Sequence, residues 1–457
     1  MLAVVAGPSE LRQTLFALAK WMAPVPRQMH LVAYLKTGPT ALDSGGWRHP
    51  EATLDDVLDP GRYEHIARVL EAACFDGCFF ADLQGLYDIH KGGFDTYVER
   101  GGQISYLDPM VVMPVMARAT RHLGLGATLS TTLLPAYHLA RTLLSLDVLS
   151  KGRVAWNIVT SATDLEAKNF GLTALPPRDQ RYEVADEVVE ACLRLWKSWD
   201  PDAFIKDKKA GVYADPAKVH YADYEGRWVK TRGPLSIPQS AQGHPVLMQA
   251  GASERGKEFA ARWAEVVFSS QRSREDTKAF YDDLKARVAA RGRRPEDCAV
   301  LAQATCIVGE TESIAREKAD YINALTMEEL RIASTSSNIG VDLSRYEDGQ
   351  SLAELAGTQG MQGSMDVFES RRRSLGGSVK DTARSLRPNQ YVGTAESVAD
   401  QLEDLFVSQV CDGFIVTPAY APGSHETFCR AVVPELQRRG VFRRAYSGTT
   451  LRDHLRG

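Results

Sequence analysis

The sequence predicts an α/β fold, a (β/α)8 TIM barrel carrying insertions after strand 2, helix 4 and helix 7. Three observations lead there. Eight apolar, strand-length runs alternate with segments of helical period, which is the count a closed parallel barrel requires. The turn behind the first strand, Lys36–Asp59, is long and carries no GxGxxG, the glycine fingerprint of a doubly wound open sheet. Polar residues gather at the C-terminal ends of the strands, the end at which barrels build their sites.

Gln28–Leu35 is the first strand. The helix near Arg62–Phe75 buries Tyr63, Ile66, Ala67, Leu70 and Cys74, whose spacing of three and four residues marks one helix face. Strand two is Gly77–Asp82, and Leu83–Asp108 is an insertion ahead of a helix from Pro109 to Arg121. Strand three is Leu123–Thr131, with a helix through Leu149. Strand four, Arg153–Ser161, precedes the helix Arg181–Trp199, where Ala185, Val188, Val189, Cys192 and Trp196 share a face. The second insertion, Asp200–Gln242, holds a hairpin around Tyr224–Val229 with Glu225-Gly226 at its turn. Strands five and six are Pro245–Gly251 and Glu265–Ser270, with helices Ser253–Ala264 and Arg274–Arg291. Strand seven is Ala299–Val308, followed by the helix Thr311–Leu325. Thr326–Val392 is the third insertion; it is rich in Ser, Gly and Arg, weak in periodicity, and expected to be mobile in part. A helix at Ala395–Val410 leads into strand eight, Asp412–Pro418, and Thr427–Arg439 closes the set. Residues 1–27 lack this periodicity and read as an N-terminal appendage, with residues 28–457 a single barrel domain.

Composition removes several function classes. With 457 residues, 44% hydrophobic and 25% charged, the chain can bury one large decorated core. A net charge of -4 without a long basic run argues against a nucleic-acid surface. No run of eighteen apolar residues offers a membrane span, and the N-terminus lacks the basic leader of a secretory signal. The seven cysteines are odd in number and scattered, and only Cys74 and Cys78 lie close, so they read as small core residues of a cytoplasmic protein. There is no Walker loop, GxSxG elbow, HExxH or metal-spaced carboxylate cluster, so side chains alone suggest neither hydrolytic machinery nor a metal site.

The candidate chemistry lies at the strand ends. In Val246–Ala264 a buried strand ends at Gly251, and Ser253 stands at the N-cap of an amphipathic helix with Gly256 in its first turn. Free N–H groups there can hold a phosphate, or Ser253 can be an ordinary cap. Asp82 ends the run CFFAD, where it can cap the next segment or orient a ring cofactor. Thr128 closes strand three, and Asn157 and Ser161 share one face of strand four. His138 stands between Pro135-Ala136-Tyr137 and a helix, as a structural histidine or a site residue.

Together these segments resemble the nitrilotriacetate/dibenzothiophene-sulfone monooxygenase group of the bacterial-luciferase-like superfamily. The likeness rests on GGWRHPEA (Gly45–Ala52), SLDVLSKGRVAWNIVTS (Ser145–Ser161), KNFG (Lys168–Gly171), ADPAKVHYADYEGRW (Ala214–Trp228), QAGASERG (Gln249–Gly256), DGFIV (Asp412–Val416) and VVPELQRRGVFR (Val432–Arg443), in that order from Gln28 onward. The resemblance implies an FMN site at the C-terminal face of the barrel, with contacts at Asp82, Thr128, Tyr182 and Ser253. A fifth falls on Arg178, where relatives often have His. It further implies FMN supplied as FMNH2 by a separate NAD(P)H:flavin reductase through flavin diffusion. O2 would be the co-substrate, and a small xenobiotic, organosulfur, amine or alkane-like molecule would be oxygenated. Tyr87 and Gln103 match substrate-pocket positions. His138 is the candidate for hydrogen bonding or proton transfer during oxygen transfer, and Asn157 is the second catalytic candidate. Asn338 and Ser44 stand where some relatives have His, which affects substrate class. A homodimer or homotetramer is expected. The alternatives are a deazaflavin-dependent dehydrogenase of the same superfold, which the long motifs disfavour, and a non-catalytic flavin-binding protein.

Overall fold

His30–Leu35 (β1) is buried along its length and alternates between two apolar layers. Val32 and Tyr34 join the cluster inside the barrel, while Leu31, Ala33 and Leu35 pack outward against the helices. In this computed structural model, which describes residues 27–39, 42, 45–271, 273–346, 362–376 and 378–456, seven further strands repeat the pattern. They are Gly77–Phe80 (β2), Gly124–Ser130 (β3), Val154–Val159 (β4), Val246–Gln249 (β5), Val266–Ser269 (β6), Ala299–Val308 (β7) and Gly413–Val416 (β8). Each pairs in parallel with its successor, and β8 pairs with both β7 and β1, which closes the cylinder. The interior is filled rather than hollow. A Cβ on Gly126 of β3 would lie 2.7 Å from the Cβ of Phe79, so only glycine fits beside that ring.

The outer helices include Pro60–Ala72 (α1), Pro109–Ala119 (α2), Ala136–Leu149 (α3), Arg178–Trp196 (α4), Glu254–Trp263 (α5), Arg274–Ala290 (α6) and Glu312–Leu325 (α7). Their starts are written in the sequence. Asp59 and Asp108, each just ahead of a proline, accept from Gly61 N and Met110 N. Ser253, Ser273 and Thr311 cap α5, α6 and α7 in the same way. None of the described helices is long and apolar enough to cross a membrane. All seven cysteines are free thiols, six of them buried.

The third insertion departs most from expectation. Its weak periodicity suggests irregular chain, yet its described part forms Glu328–Ile339 (α8), Gln362–Leu375 (α9), Val379–Ser385 (α10) and a ninth parallel strand, Gln390–Gly393. That strand pairs with the outer half of β7, from Thr305↔Gln390 to Val308↔Gly393. The physical reason for the missing signal lies in α8. It buries Ser334, Thr335, Ser336 and Ser337, and Thr335, Ser336 and Ser337 return their hydroxyls to carbonyls of Arg331, Ile332 and Ala333. The run Ser334–Ser337 interrupts the apolar period of Leu330, Ile332, Ala333 and Ile339, which are buried with it. Residues 347–361 of the insertion lie outside the described residues. In the second insertion the hairpin turn falls two residues later than expected, at Arg227-Trp228. Tyr224–Glu225 pairs with Lys230–Thr231, and Gly226 N bonds to Val229 O. A second hairpin, Phe204–Asp207 with Val212–Ala214, joins it. The helix after strand four begins at Arg178, a turn earlier than read.

Residues 1–26 of the expected appendage also lie outside the described residues. Arg27 is tied to the barrel, donating to Phe406 O at 2.6 Å and Cys411 O at 2.8 Å, with its guanidinium over the Phe406 ring.

The C-terminal segment seals the N-terminal end of the barrel. Leu451 and Leu455 join the interior cluster from below. Asp76, fully buried, accepts from His30 Nδ1 at 2.9 Å, Leu31 N at 2.7 Å and Arg443 at 2.6 Å, and Arg443 also donates to His454 O. Burial alone would raise the Asp76 pKa, but the Arg443 guanidinium and His30 outweigh it and hold the carboxyl at about 2. Arg443→Met is therefore expected to cost about 3–5 kcal/mol, because it strands a buried charge. Adding Asp76→Asn should recover part of the loss in denaturant titrations. Since the folded pKa lies below the unfolded value of about 3.9, this contribution is complete above about pH 4. It should fade as pH falls through about 2, and melting temperature against pH reads both effects.

Candidate active site

The site is built on the floor that β1, β2 and β6 supply. Tyr34 meets Phe79 edge-on at 5.4 Å, and Phe79 stacks on Phe268 at 4.4 Å. Above this aromatic floor the strand ends turn polar. Thr128 donates to Phe80 O at 2.7 Å, and Asn157 Nδ2 donates to Thr128 Oγ1 at 2.9 Å. The other carboxamide atom, Asn157 Oδ1, is buried without a partner. A buried acceptor left open is costly unless something else fills it. The sequence named Thr128 and Asn157 separately, and the structure brings them into contact.

The end of β4 is held by groups the sequence reading missed. Glu166, 4% exposed, accepts from Ala162 N at 3.1 Å, Thr163 N at 3.3 Å and Thr163 Oγ1 at 3.3 Å. Arg181, 2% exposed, donates to the carbonyls of Thr160 and Ser161. Ser161 sits at φ 60°, in the left-handed region, and bonds Ser130 at 2.8 Å. The Thr163-x-x-Glu166 capping box was a legible signal for Glu166. Nothing local marked Arg181, whose value lies in the loop it props.

Asp82 accepts from Gln84 Nε2 at 2.9 Å and is hydrogen-bonded to Ser105. Burial raises its pKa, opposed by Ser105 and by Lys36. Lys36 is the fourth missed residue at this rim, after Glu166, Arg181 and Gln249 (below). Its Nζ donates to Ser105 Oγ at 3.3 Å, with Gln103 O at 3.5 Å. Burial lowers its pKa to about 8, against the opposing pull of Asp82 and Glu166.

Across the mouth, the β5–α5 turn forms a cradle. Ser253 Oγ accepts from Gly256 N at 3.1 Å, and the Tyr182 hydroxyl is hydrogen-bonded to Ser253. A Cβ on Gly251 would lie 2.1 Å from Gln249 Nε2 and 3.0 Å from the Tyr182 hydroxyl, so the turn passes between these side chains only as glycine. Gln249 Oε1 is a second buried acceptor without a partner. Burial raises the Tyr182 pKa, while Ser253, Arg181, Arg255 and Arg178 pull it down. Arg178, the first residue of α4, is thus close enough to act on Tyr182. This is a place for an anion: a helix start, a phenol, and cationic groups.

Tyr87 packs against Tyr97 at 5.2 Å, and burial drives its phenol pKa upward, helped by Tyr97, Glu166 and Tyr34. Ser334 and Ser337 lie close enough to Tyr97 to oppose the burial that raises its pKa, so α8 backs this wall. Gln103 reaches the group through its backbone carbonyl to Lys36. His138 is exposed on the first turn of α3, and no described hydrogen bond joins it to the cluster. Asn338 is partly buried in the last turn of α8, and Ser44 lies outside the described residues. Among the described residues, no group of three or more His, Cys, Asp or Glu is placed to hold a metal.

The model of the luciferase-like monooxygenase family matches residues 41–412. A dibenzothiophene-sulfone monooxygenase of Rhodococcus erythropolis (strain XP) is 42% identical over 438 residues, covering 94% of this chain and 96% of the relative. Nitrilotriacetate monooxygenase component A of Aminobacter aminovorans is 37% identical over 421 residues, covering 90% and 93%. A crystal structure of a riboflavin lyase with modified FMN and the substrate riboflavin superimposes with a TM-score of 0.87 at 33% identity, covering 94% of this chain and 96% of that one. The chain is an oxidoreductase that belongs to the luciferase-like monooxygenases.

Proposed function

We propose that this chain is the oxygenase of a two-component system, which binds FMN reduced by a separate NAD(P)H:flavin reductase and uses O2 to oxygenate a small organic substrate. The observation that carries the reading is the rim itself. An anion cradle at Ser253 and Tyr182 shares the rim with a polar group at Asp82, Thr128 and Asn157, and one buried acceptor on each side, Gln249 Oε1 and Asn157 Oδ1, lacks a partner. The comparisons support it. One relative is named component A of its monooxygenase, and a solved neighbour contains a modified FMN.

The orphaned acceptors and the glycine-lined cradle fit a flavin. Reduced FMN supplies the two electrons with which one atom of O2 enters the substrate and the other leaves as water. Ser253, the open N–H groups at the start of α5, Tyr182 and Arg178 would hold the phosphate. Asn157 Oδ1 and Gln249 Oε1 offer acceptors to N–H groups of the ring, and Thr128 fixes the Asn157 carboxamide. Tyr87, Tyr97 and the α8 insertion wall off water above the floor.

Three measurements test the reading. The purified chain should not oxidise NADH or NADPH at a useful rate, since the sequence has no dinucleotide fingerprint. Adding a flavin reductase and a panel of aryl sulfones, thioethers and chelating amines should yield a product labelled from 18O2. Rapid NADH oxidation by the isolated chain defeats the two-component proposal.

Arg178→Ala should weaken reduced FMN by about ten- to a hundredfold, as the loss of a partly shielded charged donor of about 1.5–3 kcal/mol implies. Reduced riboflavin, which has no phosphate, should bind the variant as it binds the parent. Equal weakening of both would move Arg178 away from the phosphate.

For His138, the proposed part in oxygen transfer is tested by coupling. His138→Ala should retain FMN and release more hydrogen peroxide per product formed. Unchanged coupling, in keeping with its exposed position on α3, would remove it from the mechanism.

A further inference from the structure

Lys36 has no task in the mechanism above, and its surroundings give it one. It follows β1 directly, on the inward face that Val32 and Tyr34 occupy below it. An ammonium has three donors. Among the described residues, Lys36 Nζ meets the Ser105 hydroxyl at 3.3 Å and the Gln103 carbonyl at 3.5 Å, and no carboxylate lies within ion-pair distance. Asp82 and Glu166 act on it from farther away. Both carboxylates have nearer partners, Glu166 in the Ala162–Thr163 backbone and Asp82 in Gln84 and Ser105. A partly buried cation so incompletely paired favours an anion brought to it, and its removal would leave two carboxylates facing the same space.

Position decides which anion. In the closed order of eight strands, β5 stands across the mouth from β1. The Ser253–Tyr182 cradle follows β5, so a flavin whose phosphate rests there extends its ring toward β1 and β2, where Lys36 and Asp82 stand. The oxidised ring is neutral at neutral pH. The reduced ring loses its N1 proton and carries a negative charge shared with the neighbouring carbonyl oxygen. We propose that Lys36 is a specificity-determining residue for the redox state of the flavin, its ammonium favouring the reduced, anionic ring over the oxidised, neutral one. The chain thereby takes up reduced FMN and releases the oxidised product. This inference rests on the FMN proposal. At a pKa of about 8, lowered by burial, Lys36 still carries its charge at neutral pH.

The test is a pair of titrations, anaerobic with reduced FMN and aerobic with oxidised FMN. Both are run on the full chain and on Lys36→Met, Lys36→Gln and Lys36→Arg. In the Met and Gln variants the preference for reduced over oxidised FMN should fall by about ten- to a hundredfold, the effect of one nearby opposite charge on an ionisation equilibrium. The midpoint potential of the bound flavin should fall in step, by about 30 mV per tenfold for two electrons. Lys36→Arg should keep the preference, which a purely structural role would not require. Circular dichroism shows which variants fold, and the Gln and Arg pair carries the comparison if Met does not. A preference that stays unchanged in the neutral variants overturns the role of Lys36 while leaving the FMN proposal standing. A parent chain that binds neither flavin overturns both.

Discussion

Closure of a parallel sheet is the constraint on which this molecule depends. Once eight strands run the same way around one cylinder, every strand must end on the same rim, and every connection must cross outside it. Residues such as Asp82, Thr128, Asn157 and Ser253 come to one rim without any local instruction to meet. Closure also removes sheet edges among the eight strands, so the backbone polar groups of the barrel are spent on one another. What remains to make a site is the set of side chains just beyond the last paired residue of each strand.

Buried polar groups occur at both ends of the cylinder, with different partners. At the closed end, Asp76 has Arg443, His30 and a backbone N–H, and the C-terminal segment is clamped there by these bonds. Removing one partner would expose the full desolvation cost of the other. At the open end, Lys36 has a hydroxyl and a distant carbonyl, while Asn157 Oδ1 and Gln249 Oε1 have nothing. Arg443 Nη1 and His454 Nδ1 at the closed end are also without partners, so what sets the open end apart is that its unpaired acceptors lie at the strand ends, where a ligand can reach them.

The insertions complete the open end by packing on one another. Lys91 pairs with Glu329, and Tyr97 lies against serines of α8, so the segment after β2 and the segment after α7 form a single wall. His90 is buried between them with Asp342 at 3.8 Å and Glu329 at 4.0 Å, and burial lowers its pKa. Trp47 donates to Arg100 O at 2.8 Å and so joins the loop after β1 to the same wall. Each insertion is long enough to be a liability alone. Together they shield a surface on which oxygen chemistry would be exposed to water.

How much was legible follows from the range of the forces involved. Strand and helix periods, the aspartate and serine caps, and the match of long motifs are local, so the sequence alone was enough for the barrel and its element order, and it marked Thr128, Asn157, Tyr182 and Ser253 as candidates. The α8 helix escaped because four hydroxyl residues in a row interrupt the apolar residues of its buried face. Lys36, Arg181 and Gln249 escaped for a different reason. In the sequence Lys36 is one lysine after a strand; its chemistry comes from Ser105, Gln103, Asp82 and Glu166, which arrive from other units. His138 shows the converse, a residue with a suggestive local setting that the fold leaves exposed. Only tertiary structure decided which groups lose their water and which lose their partners, because desolvation and pairing depend on neighbours in space, and neither is encoded in the spacing of residues along the chain.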